Sequence, residues 1–137
     1  MLTKQISILI DNRPGRLARV TALLRDAGVN IRAISMADAP DFGIFRLVVD
    51  DTTRALKALK EGGFLADVSD VVAVELVDKP GALAAVLALL ARGDVNIEYM
   101  YASLAEEAGK AVVYLRFEDS LRALAVLRDG GARILEQ

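Results

Sequence analysis

Side chains able to do chemistry are scarce in this chain. Its 137 residues contain no histidine and no cysteine, which removes the commonest general base near neutral pH, the thiolate nucleophile and the usual zinc ligands. No strand–GxxxxGK[ST]–helix phosphate loop occurs. The acidic pairs Asp38 with Asp41 and Glu106 with Glu107 lack the spacing of a ligand set and read as solvated loop charges. Arg54, Lys57 and Lys60, with Glu61 beside them, read as an outer helix face. The remaining candidate is the turn Asp11-Asn12-Arg13-Pro14-Gly15-Arg16-Leu17. A helix opening there leaves the N–H groups of Gly15, Arg16 and Leu17 unpaired at its positive end. A small ligand's carboxylate is held at such a place without a cationic side chain, and Gly15 allows it close. The amides of Asn12 and Asn30 both donate and accept. If Asn30, at the start of the next strand, lies near the turn, the pair reads an ammonium and a carboxylate together. The plainer reading gives Gly15 to helix packing and Asn30 to a turn that tolerates left-handed backbone.

The elements that must position this turn follow from an internal repeat. At an offset of 66, residues 14–31 match 80–97 at 11 of 18 positions, from Pro14/Pro80 and Gly15/Gly81 to Asn30/Asn96 and Ile31/Ile97. Farther on the offset is 68, where Asp51, Arg54, Ala55, Leu56, Leu59, Gly62 and Gly63 meet Asp119, Arg122, Ala123, Leu124, Leu127, Gly130 and Gly131. The second copy therefore has a hairpin loop two residues longer. Each copy begins with period-two alternation, Ile6, Ile8 and Ile10 or Val72, Val74 and Leu76, which predicts a half-buried strand. Leu17, Val20, Leu24 and Ala27 mark one face of a helix. Pro14 suits its first turn and Gly28 its left-handed C-cap. In the second copy the cap glycine is Gly93, one place earlier, so that turn is expected to differ. Strands over Ile31–Met36 and Ile44–Asp50 follow, then a helix capped by Asp51 (Asp119 in the second copy). A last strand runs over Phe64–Val68, or Ala132–Leu135.

The pattern is βαββαβ twice: an α+β protein of two ferredoxin-like units, 1–68 and 69–137, each an antiparallel four-stranded sheet with helices on one face. Only Ser69 and Asp70 separate the halves. This predicts a fixed pair joined edge to edge into one eight-stranded sheet. Lys plus Arg is 17 against 19 Asp plus Glu, a net charge of -2, which opposes nucleic-acid binding. Tyr99, Tyr101, Tyr114 and Phe117 fall on two adjacent strands, where an RNA-binding sheet would stack bases; core or interface is the better expectation. The longest apolar run, Ala82–Ala91, is about half a membrane span, and the first residues lack a secretory leader's apolar core. A soluble, cytoplasmic protein without catalytic residues, metal or cofactor is expected.

The stretches D-N-R-P-G-R-L…A-G-V-N-I and V-D-K-P-G-A-L…D-V-N-I, each in a βαββαβ setting, resemble the ACT domain, a small amino-acid-sensing regulatory module. The likeness covers nearly the whole chain as two tandem copies. It implies an amino acid bound at an ACT–ACT interface by the strand-one/helix-one turn. The implied ligand-binding set is Asp11, Asn12, Arg13, Pro14, Gly15, Leu17, Asn30 and Ile31, with Asp78, Lys79, Pro80, Gly81, Leu83, Asn96 and Ile97 in the second copy. In the phosphoglycerate dehydrogenase branch of that family, two asparagines and a histidine hold serine. The asparagines map onto Asn12 and Asn30 and the histidine onto Ile10, which turns the expectation toward a more apolar amino acid. Asp78 in place of Asn12 sets like charge against a ligand carboxylate, so the first copy is the better site. Arg13–Met36 also resembles the regulatory subunit of acetolactate synthase. The implied role is a homodimeric amino-acid sensor. The alternative is a non-binding regulatory subunit of a metabolic enzyme, such as an acetolactate-synthase-like partner, docking through sheet edges and the face opposite the helices.

Overall fold

Alternating isoleucines, two amphipathic helices per copy and glycine-closed turns resolve into eleven elements among the described residues. The computed structural model describes residues 2–11, 13–38, 41–104 and 107–136; Asn12, Pro40 and Glu106 lie outside the described residues. The elements are β1 (Thr3–Ile10), α1 (Arg16–Asp26), β2 (Ile31–Asp38), β3 (Gly43–Val49), α2 (Thr52–Glu61), β4 (Leu65–Val77), α3 (Ala82–Arg92), β5 (Tyr99–Ala102), β6 (Lys110–Arg116), α4 (Ser120–Asp129) and β7 (Arg133–Leu135). They form two compact units. The first is Lys4–Ser69; the second is Asp70–Gln137 with Met1–Thr3.

In the first unit the strand order is β2-β3-β1-β4. Ile6 stands opposite Leu47 and Ile10 opposite Gly43, while Ile31 stands opposite Val49 and Asp38 opposite Gly43. The period-two residues Ile6, Ile8 and Ile10 face the helices and pack with Val20, Leu24 and Leu59. Each such side chain removed from water contributes roughly 1.5–3 kcal/mol. The second unit repeats the order as β5-β6-β4-β7. Its core joins Val72 and Val74 to Leu90, Leu115, Phe117 and Leu127.

Among the described residues there are seven strands where eight were expected. Phe64–Val68 and the run from Val71 are not two strands: β4 passes uninterrupted through Ser69 and Asp70. The polar pair reads as a break, yet both residues are served as strand residues. Ser69 Oγ accepts from Gln5 Nε2 at 3.0 Å, and the Asp70 carbonyl accepts from Arg116 Nη1 at 2.8 Å. Half-buried polar groups satisfied in this way leave no reason for the strand to stop.

The helix ends are as instructive. The Asp51 and Asp119 carboxylates accept the N–H of Arg54 and Arg122 at 3.0 and 3.1 Å, so both expected N-caps form. At the end of α1, Gly28 has φ +71° and the Val29 N–H reaches the Leu24 carbonyl at 2.9 Å, closing a Schellman turn. The second copy was expected to differ here and does not. Asp94 takes the left-handed position with φ +54°, and Val95 N–H reaches Leu90 O at 2.9 Å. Gly93 is instead the C-cap itself, with φ −82°. A Cβ on Gly93 would meet Val126 Cγ1 at 2.9 Å, so this glycine serves the approach of α4 rather than the backbone angle. Arg122 Nη2 donates to its carbonyl at 2.6 Å.

The sheet faces turned away from the helices are also buried, at Ala33 and Val48 in the first unit and at Val71, Ala73, Val112 and Tyr114 in the second. An open sheet face for a docking partner is therefore not available at these positions. Tyr99 stacks on Tyr101 and Tyr101 on Tyr114, with ring centroids 6.5 and 5.8 Å apart. Tyr114 and Phe117 are fully buried, which closes them to base stacking. Among the described residues, no helix is long and apolar enough to cross a membrane.

Candidate functional site

Arg13-Pro14-Gly15-Arg16 is a type II β-turn. Gly15 sits at φ +88°, ψ −10°, and the Arg16 N–H closes the turn on the Arg13 carbonyl at 3.2 Å. Proline presets the second position and glycine alone takes the third without strain. Pro14 therefore lies before the helix rather than in its first turn, where the sequence had placed it. The Arg16 N–H, expected to be free for a ligand, is used by the turn. Lys79-Pro80-Gly81-Ala82 repeats the arrangement, with Gly81 at φ +91°, ψ −10° and Ala82 N–H to Lys79 O at 3.3 Å. Among the described residues, no backbone bond engages the N–H groups of Gly15 and Leu17, or of Gly81 and Leu83. They remain as donors at the helix N-termini.

The surroundings of the first turn suit a small polar head. A Cβ placed on Gly15 meets nothing within 4 Å, so the space in front of it is open. A cavity of about 330 Å³ is lined there by Ile10, Asp11, Arg13, Gly15, Arg16 and Leu17. The Asp11 carboxylate is held below its ordinary pKa by a hydrogen bond from its own backbone N–H and then by the Arg13 guanidinium. Arg13 Nη2 lies 2.6 Å from Asp11 Oδ2. Asp11 thus stays ionised and engages Arg13.

Asn30 does not join this turn within its own unit. β3 lies between β1 and β2. The turn adjoins the end where Ile10 faces Gly43, whereas Asn30 precedes the end where Ile31 faces Val49. The length of β3, about 20 Å at 3.4 Å per residue, separates them. The Asn30 backbone is tied to Asp50: its N–H donates to Asp50 Oδ1 at 2.9 Å and its carbonyl accepts the Asp50 N–H at 3.1 Å. The second unit is arranged alike. Val77 faces Lys110 at the turn end, and Asn96 lies at the end where Tyr99 faces Arg116. Asn96 lines a cavity of about 660 Å³ with Asp94, Glu98, Glu118, Asp119 and Arg122. Strand order, which periodicity does not report, is what the expected closeness of Asn30 to the turn lacked. No group of three or more metal-ligating side chains occurs among the described residues.

One contact that sequence reasoning missed lies beside the turn. The Arg16 guanidinium stacks on the Phe64 ring, 4.8 Å from its centroid, a cation–π pair across α1 and the start of β4. The repeat alignment carried a trace of it, because the same positions in the second copy are Ala82 and Ala132.

Two βαββαβ units, each opening its first helix with a Pro-Gly type II turn, define a paired small α+β module. The chain belongs to the ACT domain family, and the ACT domain pair matches residues 1–131. Among solved structures, protein BT0572 from Bacteroides thetaiotaomicron is 38% identical with a TM-score of 0.92, over 98% of this chain and 92% of that one. The regulatory subunit of aspartate kinase from Thermus thermophilus, in a ligand-free form, is 23% identical with a TM-score of 0.68, over 93% and 91% of the two chains. That from Thermus flavus is 23% identical with a TM-score of 0.59, over 95% and 94%. These last two share the fold. No curated protein matches the sequence.

Proposed function

We propose that this protein is an amino-acid-binding regulator in the cytoplasm that holds its ligand at the Pro-Gly turn. The observation that carries the reading is the turn itself: a helix N-terminus with open space before Gly15 and the Gly15 and Leu17 N–H groups unengaged among the described residues. A ligand carboxylate accepts from these donors, beside Asp11, Asn12, Arg13 and Pro14. The second copy offers the same backbone at Pro80, Gly81 and Leu83, with Lys79 beside it and Asp78 opposing an anion. Membership of the ACT family supports the regulatory role, as does the likeness in fold to regulatory subunits of aspartate kinase. Because Asn30 and Ile31, or Asn96 and Ile97, lie at the far end of their own units, a ligand reaches them only when a further ACT unit faces the turn, as in a homodimer. Binding then favours one quaternary arrangement by as much as the ligand prefers it, and a metabolic enzyme attached to the regulator senses that preference.

A thermal-shift screen of the full chain against the twenty amino acids tests the reading. A ligand at 100 times its dissociation constant adds about 2.7 kcal/mol, which moves the midpoint by several degrees. The expected result is a shift with one chemical class, with apolar amino acids favoured by Ile10, lost in Asn12→Ala without loss of folding. No shift with any amino acid overturns the sensor and favours the non-binding regulatory subunit, which a pull-down of a metabolic enzyme then examines.

A further inference from the structure

Each unit has a groove between its first helix and the strand that closes it, and the two grooves are filled differently. In the first unit Arg16 lies on Phe64 across the groove. A cavity of about 340 Å³ ends at this pair. In the second unit the equivalent residues are Ala82 and Ala132, and both plugging groups are gone. The groove there opens to about 530 Å³ and continues along α3 past Ala85 and Leu89 as far as Arg92. This is the size range of small-molecule sites.

The lining chooses the ligand. Leu76, Val86 and Leu89 with the alanine methyl groups form an apolar floor, and Lys79, Arg92 and Arg133 stand along the rim. The one carboxylate in the lining, Glu75, is already engaged. Its Oε1 lies 3.1 Å from Arg133 Nε and 3.8 Å from Lys110 Nζ. Among the described residues Lys79 and Arg92 have no ion-pair partner. An α-ammonium group entering this groove would meet cations and no free acid, whereas a carboxylate would meet unpaired positive charge over an apolar bed. We propose that the groove of the second unit is a separate binding site for a small apolar monocarboxylate without an ammonium group, for which 4-methyl-2-oxopentanoate serves as the probe. The site goes beyond the amino-acid reading and shares only Lys79 with it.

The test uses the full chain with methyl-labelled Leu, Val and Ala, titrated with 4-methyl-2-oxopentanoate and, separately, with leucine. Saturable shifts of the Val86, Leu89 and Ala132 methyl groups are expected with the oxo acid, unaltered in Asn12→Ala. The double variant Ala82→Arg/Ala132→Phe rebuilds the plug of the first unit and is expected to lower oxo-acid affinity about tenfold or more. Arg92→Glu, on the exposed rim and outside the turn, does the same if the double variant fails to fold. Absence of saturable binding overturns the proposal, as does binding that survives both variants or shifts confined to Leu17 and Leu83. A leucine response lost in Asn12→Ala while the oxo-acid shifts persist supports two separate sites, and oxo-acid shifts lost together with it overturn the proposal.

Discussion

Replacing Gly15 by alanine isolates what the Pro-Gly turn costs to build. At φ +88°, ψ −10°, an L side chain is strained, and nothing lies within 4 Å of the added Cβ. Steric overlap therefore contributes nothing, and the penalty is the backbone alone. Left-handed backbone costs a non-glycine residue about 1–2 kcal/mol. The loss of unfolded-state freedom on going from glycine to alanine returns about 0.4–1 kcal/mol. The net destabilisation is about 1 kcal/mol. With unfolding entropy near 2.1 cal/mol/K per residue, a chain of this length changes its midpoint by about 3–4 °C for that amount. Gly81→Ala meets the same angles and the same empty surroundings, so its cost should match. Differential scanning calorimetry and urea melts of both variants give the comparison, with the urea m-value expected to stay constant. Equal stability to the parent in both would refute the strain argument. A penalty at Gly15 without one at Gly81 would show that the two turns, though alike in geometry, are held by different forces.

Further outcomes follow from neighbouring features. Asp51→Ala and Asp119→Ala each remove the carboxylate that accepts a helix N–H, and each should cost about 1 kcal/mol in a urea melt. The Asp11 carboxyl, lowered by its backbone hydrogen bond and Arg13, should titrate below an ordinary aspartate in an NMR pH series and move upward in Arg13→Gln. Because the folded pKa is the depressed one, its contribution to stability is present above the unfolded pKa and lost as pH falls through the folded value.

The duplicated order of elements was legible because period-two isoleucines, 3.6-period leucines and recurrent Pro-Gly and Gly-Gly pairs all agree in both copies. The misreadings share one cause, since local pattern is silent on long-range pairing. Ser69-Asp70 looks like a turn to any rule based on polarity, but the partners that hold it extended, Gln5 and Arg116, are 64 and 46 residues away. Asn30 seemed close to the turn only while β1 and β2 were taken as neighbours. The Arg16–Phe64 plug joins residues that no periodicity links. The left-handed Asp94 was hidden because glycine is the residue expected at that angle.

The two Schellman turns leave the copies out of step by one residue in what each position tolerates. In the first copy the constraint falls on Gly28 and is one of torsion, since a Cβ there meets only Arg54 Nη1 at an ordinary 3.8 Å. In the second the constraint falls on Gly93 and is one of volume, because Val126 fills the space, while the torsional position next to it already carries an aspartate side chain. A substitution map aligned on the repeat would thus show two offset intolerant columns. Averaging the copies into one profile would erase both.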